Sequence, residues 1–248
     1  MRLCLSIACA ATLAFSTLAA TDLTLTFARK GAGTAGTEIQ YHTAKFHLNR
    51  QPEQKLDSLV DYEKGISYTI NHKKKTIEML KMEDALAALA SLNQSQSQPE
   101  GLGLLMGSMF GDPNKYKVEK LGQETVAGRP CQNYLITVGK LTMALSADPT
   151  LKMPVSDAAY TRMMQAQAAS FAKGGGPVGA SFKRLYEEMA KIKGVPLKTE
   201  MKGFMGMNVS SVATKVEQGP IPADLFVLPV GYKMEDVGKK LREDMKGK

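Results

Sequence analysis

The chain has 248 residues, 32 of them basic and 24 acidic, for a formal charge of +8, and 44% are hydrophobic. That apolar fraction excludes a disordered chain. The basic residues are spread thinly apart from Lys73-Lys74-Lys75, and aromatic content is 6% without a Trp, so a nucleic-acid partner is not expected.

Arg2, the uncharged apolar run Leu3–Leu18 and the small residues Ala19 and Ala20 predict a cleaved secretory signal over residues 1–20. The run is short for a spanning helix, and Thr21-Asp22 ends it. No later stretch approaches the length of a span, so the mature chain is expected to be exported, periplasmic or extracellular, without a transmembrane segment. Ser6-Ile7-Ala8-Cys9 resembles a lipoprotein box, but few apolar residues precede it and an equally apolar stretch follows, so lipidation of Cys9 is disfavoured. Losing the signal leaves Cys131 as the sole cysteine. One thiol makes no intramolecular disulfide, so the fold must rest on its apolar core.

In DLTLTFA, Leu23, Leu25 and Phe27 alternate with polar residues, the period of a half-buried strand. Thr37–Leu48 reads as a further strand whose phase slips near Ala44, as at a bulge or bend. Ile66, Tyr68 and Ile70, then Ile77 and Met79, predict a hairpin with a basic tip. Glu83–Leu92 reads as a helix with acids in its first turn, opening a helical insertion over about 82–110. Strands resume at Tyr116 and Val118, and again through Gly122–Val126. Tyr134, Ile136 and Val138 then pair with Leu141, Met143 and Leu145 in a hairpin.

A second insertion spans about 156–193. Ser156 is placed to cap a helix from Asp157 to about Ala172, and Gly174-Gly175-Gly176-Pro177 breaks it. Phe182, Leu185, Met189 and Ile192 share one face of the next helix, which Gly194 and Pro196 stop. Strands over Leu197–Phe204 and Asn208–Val216 follow. In GPIPADLFVLPVGYK, Gly219–Lys233, two prolines hold an extended approach to a short turn, and Phe226 and Leu228 are expected to anchor under the sheet. Phe226 is expected among the most buried residues. Met234, Val237, Leu241 and Met245 predict a C-terminal helix over about 234–246. Strands grouped between helical insertions argue against a doubly wound parallel sheet. The pattern predicts a single α+β domain over 21–248, a curved antiparallel sheet with helices packed on its concave face.

No catalytic set emerges, so an enzyme is not expected. His42 and His47 lie five apart on what reads as one strand, hence on opposite faces unless the bulge corrects it, and His72 sits beside three lysines; a histidine metal site is not expected. No Gly-x-Ser-x-Gly is present. The carboxylate pairs Glu83-Asp84, Glu187-Glu188 and Glu243-Asp244 read as solvated helix faces. Gly31–Glu38 matches a phosphate-loop spacing but precedes a strand, so it reads as a hairpin loop. The 15 methionines, notably Met163-Met164, Met201, Met205 and Met207, lack the histidine or dense array of a copper handler and read as flexible apolar packing or an adaptable ligand lining. No cofactor is expected. Cys131 reads as a small buried filler.

Three stretches carry a resemblance: AGRPCQNYLIT (Ala127–Thr137), GVPLKTEM (Gly194–Met201) and SSVATKVEQGPIPADLFVLPVGYK (Ser210–Lys233). Together with the signal they resemble a bacterial envelope family known as a domain of unknown function, DUF4412-like, related to the LolA/LolB-like lipoprotein carriers. The resemblance implies a half-barrel of antiparallel strands lidded by helices, whose concave apolar face holds acyl chains. It implies a non-enzymatic protein with a lipid or lipoprotein acyl chain as partner. The lining expected for such a ligand is Leu104, Leu105, Met106, Met109, Phe110, Phe182, Met189, Met205 and Met207. The alternative is an envelope protein whose core is filled by its own helices and whose partners lie at the surface.

Overall fold

A computed structural model of the chain describes residues 21–31, 35–85, 87, 112, 114–163, 176–204 and 207–239. The expected signal, Leu104, Leu105, Met106, Met109, Phe110 and Met205 lie outside the described residues, as do most of the first insertion and the end of the first helix of the second.

Among the described residues, twelve strands form one sheet. They are β1 (Leu23–Lys30), β2 (Gly36–His42), β3 (Phe46–Gln51), β4 (Leu56–Asp61), β5 (Ile66–Asn71), β6 (Thr76–Lys81), β7 (Tyr116–Val126), β8 (Arg129–Val138), β9 (Leu141–Asp148), β10 (Val195–Phe204), β11 (Met207–Gln218) and β12 (Lys233–Asp236). Their order is β12-β6-β5-β4-β3-β2-β1-β11-β10-β9-β8-β7, an open sheet with β12 and β7 at its edges. Every pairing is antiparallel except that of β12 with β6. One helix, α1 (Gly176–Met189), is described in full extent, and residues 82–85 and 157–163 are also helical. The expected sheet with helices is therefore present, with one parallel pair at its edge.

Three features extend or change the expected pattern. The phase slip near Ala44 is a bend, one of its two expected causes. Thr43 closes it: its hydroxyl accepts the Phe46 and Lys45 N–H groups at 2.9 and 3.2 Å, and its own N–H donates to the Phe46 carbonyl. Strand β4 has no counterpart in the sequence reading, because Leu59 and Val60 point to opposite faces and both are buried. A strand covered on both sides loses its alternation. The helix expected from about 234 is preceded by strand: Lys233–Asp236 pairs with the open edge of β6, and helix begins only at 237. Met234 is exposed, so its spacing with Val237 did not mark a buried helical face.

One face of the sheet is covered throughout its β2–β6 half. Cross-strand register lines up Tyr41, Leu48, Leu59, Tyr68 and Met79 on one face. The segment from Ile221 to Tyr232 covers that row, with Phe226 in a 3-10 turn (Ala223–Phe226) stacked on Phe46 at 5.0 Å. Phe226 is buried, but at 9% exposed it is not among the most buried residues, contrary to expectation; Leu48 and Ile77 stand at 1%. The other face takes the helices. Leu185 of α1 packs on Ile136, Val138, Leu141 and Met143, while Tyr186 and Met189 also reach Val60, Met82 and Met163. Ser156 caps the helix over 157–163 as expected, accepting the Ala159 N–H at 3.3 Å. Gly194, at φ +98°, returns the chain to the sheet where a Cβ would stand 2.2 Å from the Asp148 carbonyl oxygen.

Candidate functional site: a cavity with a polar end

The helix-bearing face of β1–β3 holds an abrupt change of chemistry. On β1, Leu25 and Phe27 face the helices; opposite them on β2 the register places Gln40 and Glu38, and Leu23 faces His42. The β2–β3 turn then sets His47 directly across from His42 and Asn49 across from Gln40. The two histidines therefore share a face, contrary to the sequence expectation. The error followed from reading one strand where a hairpin folds the chain back: five residues apart along a strand means opposite faces, but five apart across a tight turn means direct neighbours.

Between these residues and the helices lies a cavity of about 330 Å³. Its apolar wall comes from Leu25, Phe27, Met153, Met163, Met189 and Met201, with Tyr160 and Tyr186 from the helices. Its polar wall is Arg29, Glu38, Gln40, His42, His47 and Asn49. The next row of this face, Ser58, Thr69 and Glu78, is exposed, so the polar wall marks where helix cover ends.

The hydrogen bonds of this wall fix its atoms. Glu38, 6% exposed, meets the Arg29 guanidinium at 2.8 Å. Its other oxygen accepts the Asn49 amide at 2.9 Å and the Gln40 amide. A carboxylate only accepts, so both side-chain amides turn their nitrogens to it. The Gln40 oxygen is then left facing His42 Nε2 at 3.1 Å, and His42 must donate from that nitrogen. His42 stacks on His47, with ring centroids 4.4 Å apart and planes 6° from parallel. Neither ring nitrogen of buried His47 has a hydrogen-bond partner, nor does the Asn49 side-chain oxygen.

The site is held uncharged apart from the Arg29–Glu38 pair. Burial, reinforced by neighbouring His47, holds the His42 pKa well below its ordinary value. Burial pushes His47 down to about 4. Burial also raises Tyr160, and with Tyr160 beside it Tyr186 is pushed up to about 12. Stacked rings aim their lone pairs side by side rather than at one point, a poor arrangement for a shared metal ion. Among the described residues no group of three His, Cys, Asp or Glu could hold one.

Of the sequence-derived lining residues, Met189 lines this cavity. Phe182 lies in α1 and Met207 in β11, but their side chains are outside the described residues. Met163 and Met201, singled out as methionines, line it too. The polar wall was missed; alternate Glu38, Gln40 and His42 was its signal, a strand with a polar face on each reading of its period. Cys131 is buried in the β1–β10 core, its thiol pushed up by burial and by Asp148.

A family model described as Domain of unknown function (DUF4412) matches residues 39–232, which include this polar wall from Gln40 onward. The chain belongs to this family. No curated protein matches it. Among solved structures, the chain is similar to PNGF-II at 12% identity and a TM-score of 0.43, covering 92% of this chain and 34% of that one. It is similar to the Pseudomonas aeruginosa MucA/MucB complex at 14% and 0.42, covering 88% and 59%. It is also similar to the LolA superfamily protein NE2245 from Nitrosomonas europaea at 8% and 0.26, covering 84% and 90%. The chain thus spans about a third of PNGF-II and about three fifths of the matched chain of the MucA/MucB complex.

Proposed function

We propose that this DUF4412 protein is an exported, non-enzymatic binding protein that takes an apolar chain, such as a lipid acyl chain, into the cavity between sheet and helices. The observation that carries the reading is the cavity itself. Its volume lies at the lower end of the range of about 300–1,000 Å³ usual for small-molecule sites. Four methionines and two half-buried tyrosines line it. Thioethers on three rotatable bonds adapt to irregular apolar shapes, which suits a chain of variable length. The N-terminal apolar run after Arg2 supports export.

Native mass spectrometry of protein purified from its own envelope tests this. A co-purifying lipid supports it. A clean mass of the free chain, together with no uptake of added amphipaths, overturns it in favour of a surface interaction protein. N-terminal sequencing of the same sample checks export: a mature chain beginning at Ala20 or Thr21 is expected, and an intact Met1 overturns it.

A further inference from the structure

The apolar wall explains why a chain enters; the polar wall decides what the chain carries. We propose that the cavity's polar end selects an amphipath with an uncharged hydrogen-bonding head, a hydroxyl or primary amide, over a carboxylate or ammonium on the same chain. This deepens the apolar-chain reading and rests on it.

Three atoms define the selectivity. His47 offers one ring N–H and one bare ring nitrogen, and Asn49 offers its side-chain oxygen; all three are buried without partners. A neutral imidazole is one donor and one acceptor whichever nitrogen holds the proton. The unmet set is thus one donor and two acceptors. A primary amide, with two N–H donors and one carbonyl, matches that set, and a hydroxyl, with a single O–H, meets the donor and one of the two acceptors. A carboxylate can only accept, and would leave two acceptors facing its own charge.

Charge points the same way. Arg29 and Glu38 are the only charged side chains among the described lining, and they neutralise each other at 2.8 Å. The Glu38 oxygens are already taken by Arg29, Gln40 and Asn49. An anionic head finds no spare cation unless His47 is protonated beside its stacked neighbour. A cationic head finds no spare carboxylate. Unpaired charge in a buried site is far costlier than an unpaired hydroxyl.

The test is calorimetric titration of the full mature chain with 1-decanol, decanamide, decanoate and decylammonium. At about pH 8 the last two are ionised. The alcohol and amide are expected to bind at least about tenfold tighter than either ion. His47→Phe keeps a stacked ring but removes both nitrogens. It is expected to weaken decanol and decanamide by roughly five- to tenfold and to narrow their lead over decanoate. His47→Gln restores a donor and an acceptor and is expected to recover part of the loss. Decanoate or decylammonium binding as tightly as decanol overturns the head-group assignment and leaves the apolar-chain reading standing. So does a folded His47→Phe that binds all four probes as the parent does. Binding of none of the four overturns the apolar-chain reading itself. Thermal melting establishes whether each variant folds, and the ranking in the parent protein decides the question without any variant.

Discussion

Strands β2 and β3 build two opposite kinds of interior from alternate residues. Toward the Ile221–Tyr232 segment they send Tyr41, Phe46 and Leu48 into a dry cluster closed by Phe226. Toward the helices they send Glu38, Gln40, His42, His47 and Asn49 into a cavity. One side is filled, and the other is a half-open pocket whose wall holds unpaired polar atoms. A sheet needs only one well-packed face per strand to hold its register. The dry side supplies that, which frees the other side to carry groups that cost stability.

The sharpest way to break this contrast is to make the dry side polar. Leu48→Asn loses a buried aliphatic side chain and strands an amide, and is expected to cost about 4–5 kcal/mol, read by urea denaturation. Removing the plug is next: Phe226→Ala is expected to cost about 3–4 kcal/mol by the same measurement. A loss under about 1 kcal/mol at either position would mean that the 221–232 segment is not what secures β2–β6.

The helix side is expected to respond to acid instead. His42 and His47 are held neutral in the fold, while in the unfolded chain they titrate near their ordinary value of 6.5. Between that pH and about 4 the unfolded chain binds more protons, so stability is full above about pH 6.5 and falls as pH drops through this window. The loss from His47 is on the order of 2–3 kcal/mol. Urea midpoints from pH 7 down to about 4.5 measure it, and a flat profile in the parent would contradict the buried neutral pair. Smallest is a gain: His47→Leu removes unpaired polar atoms and is expected to stabilise by about 1 kcal/mol at neutral pH and to flatten the acid loss. Destabilisation of similar size would show that the imidazole is satisfied after all.

The dry side was largely legible in the sequence. Alternation at Ile66/Tyr68/Ile70 and Ile77/Met79, and the prolines around Phe226, each state a local preference that packing obeyed. The helix caps were legible for the same reason: Ser156 and Gly194 act on their own neighbours. The polar wall was not. Its meaning depends on a three-residue loop that turns separation five into direct opposition, and Thr43-Ala44-Lys45 has none of the glycine or asparagine that usually announces a tight hairpin. Strand β4 was hidden because burial on two sides erases period two. Strand β12 was hidden because an open edge at β6, a feature of tertiary structure, outweighed a helical spacing.

The order of the sheet has a consequence for how the chain comes together. Every pairing from β1 to β6, and from β7 to β11, joins consecutive strands, and all but β9–β10, which the insertion over residues 149–194 separates, are short hairpin connections. Among the described residues the two halves pair only along β1 and β11, and β6 is paired at its outer edge by β12. Both closures use residues beyond Met207. Until those residues arrive, β1, β6 and β10 each present an unpaired edge. Contacts this distant in sequence form late. A chain emerging N-terminus first therefore keeps two half-sheets apart until its last sixth is free, and any truncation before that point leaves adhesive edges rather than a smaller working protein.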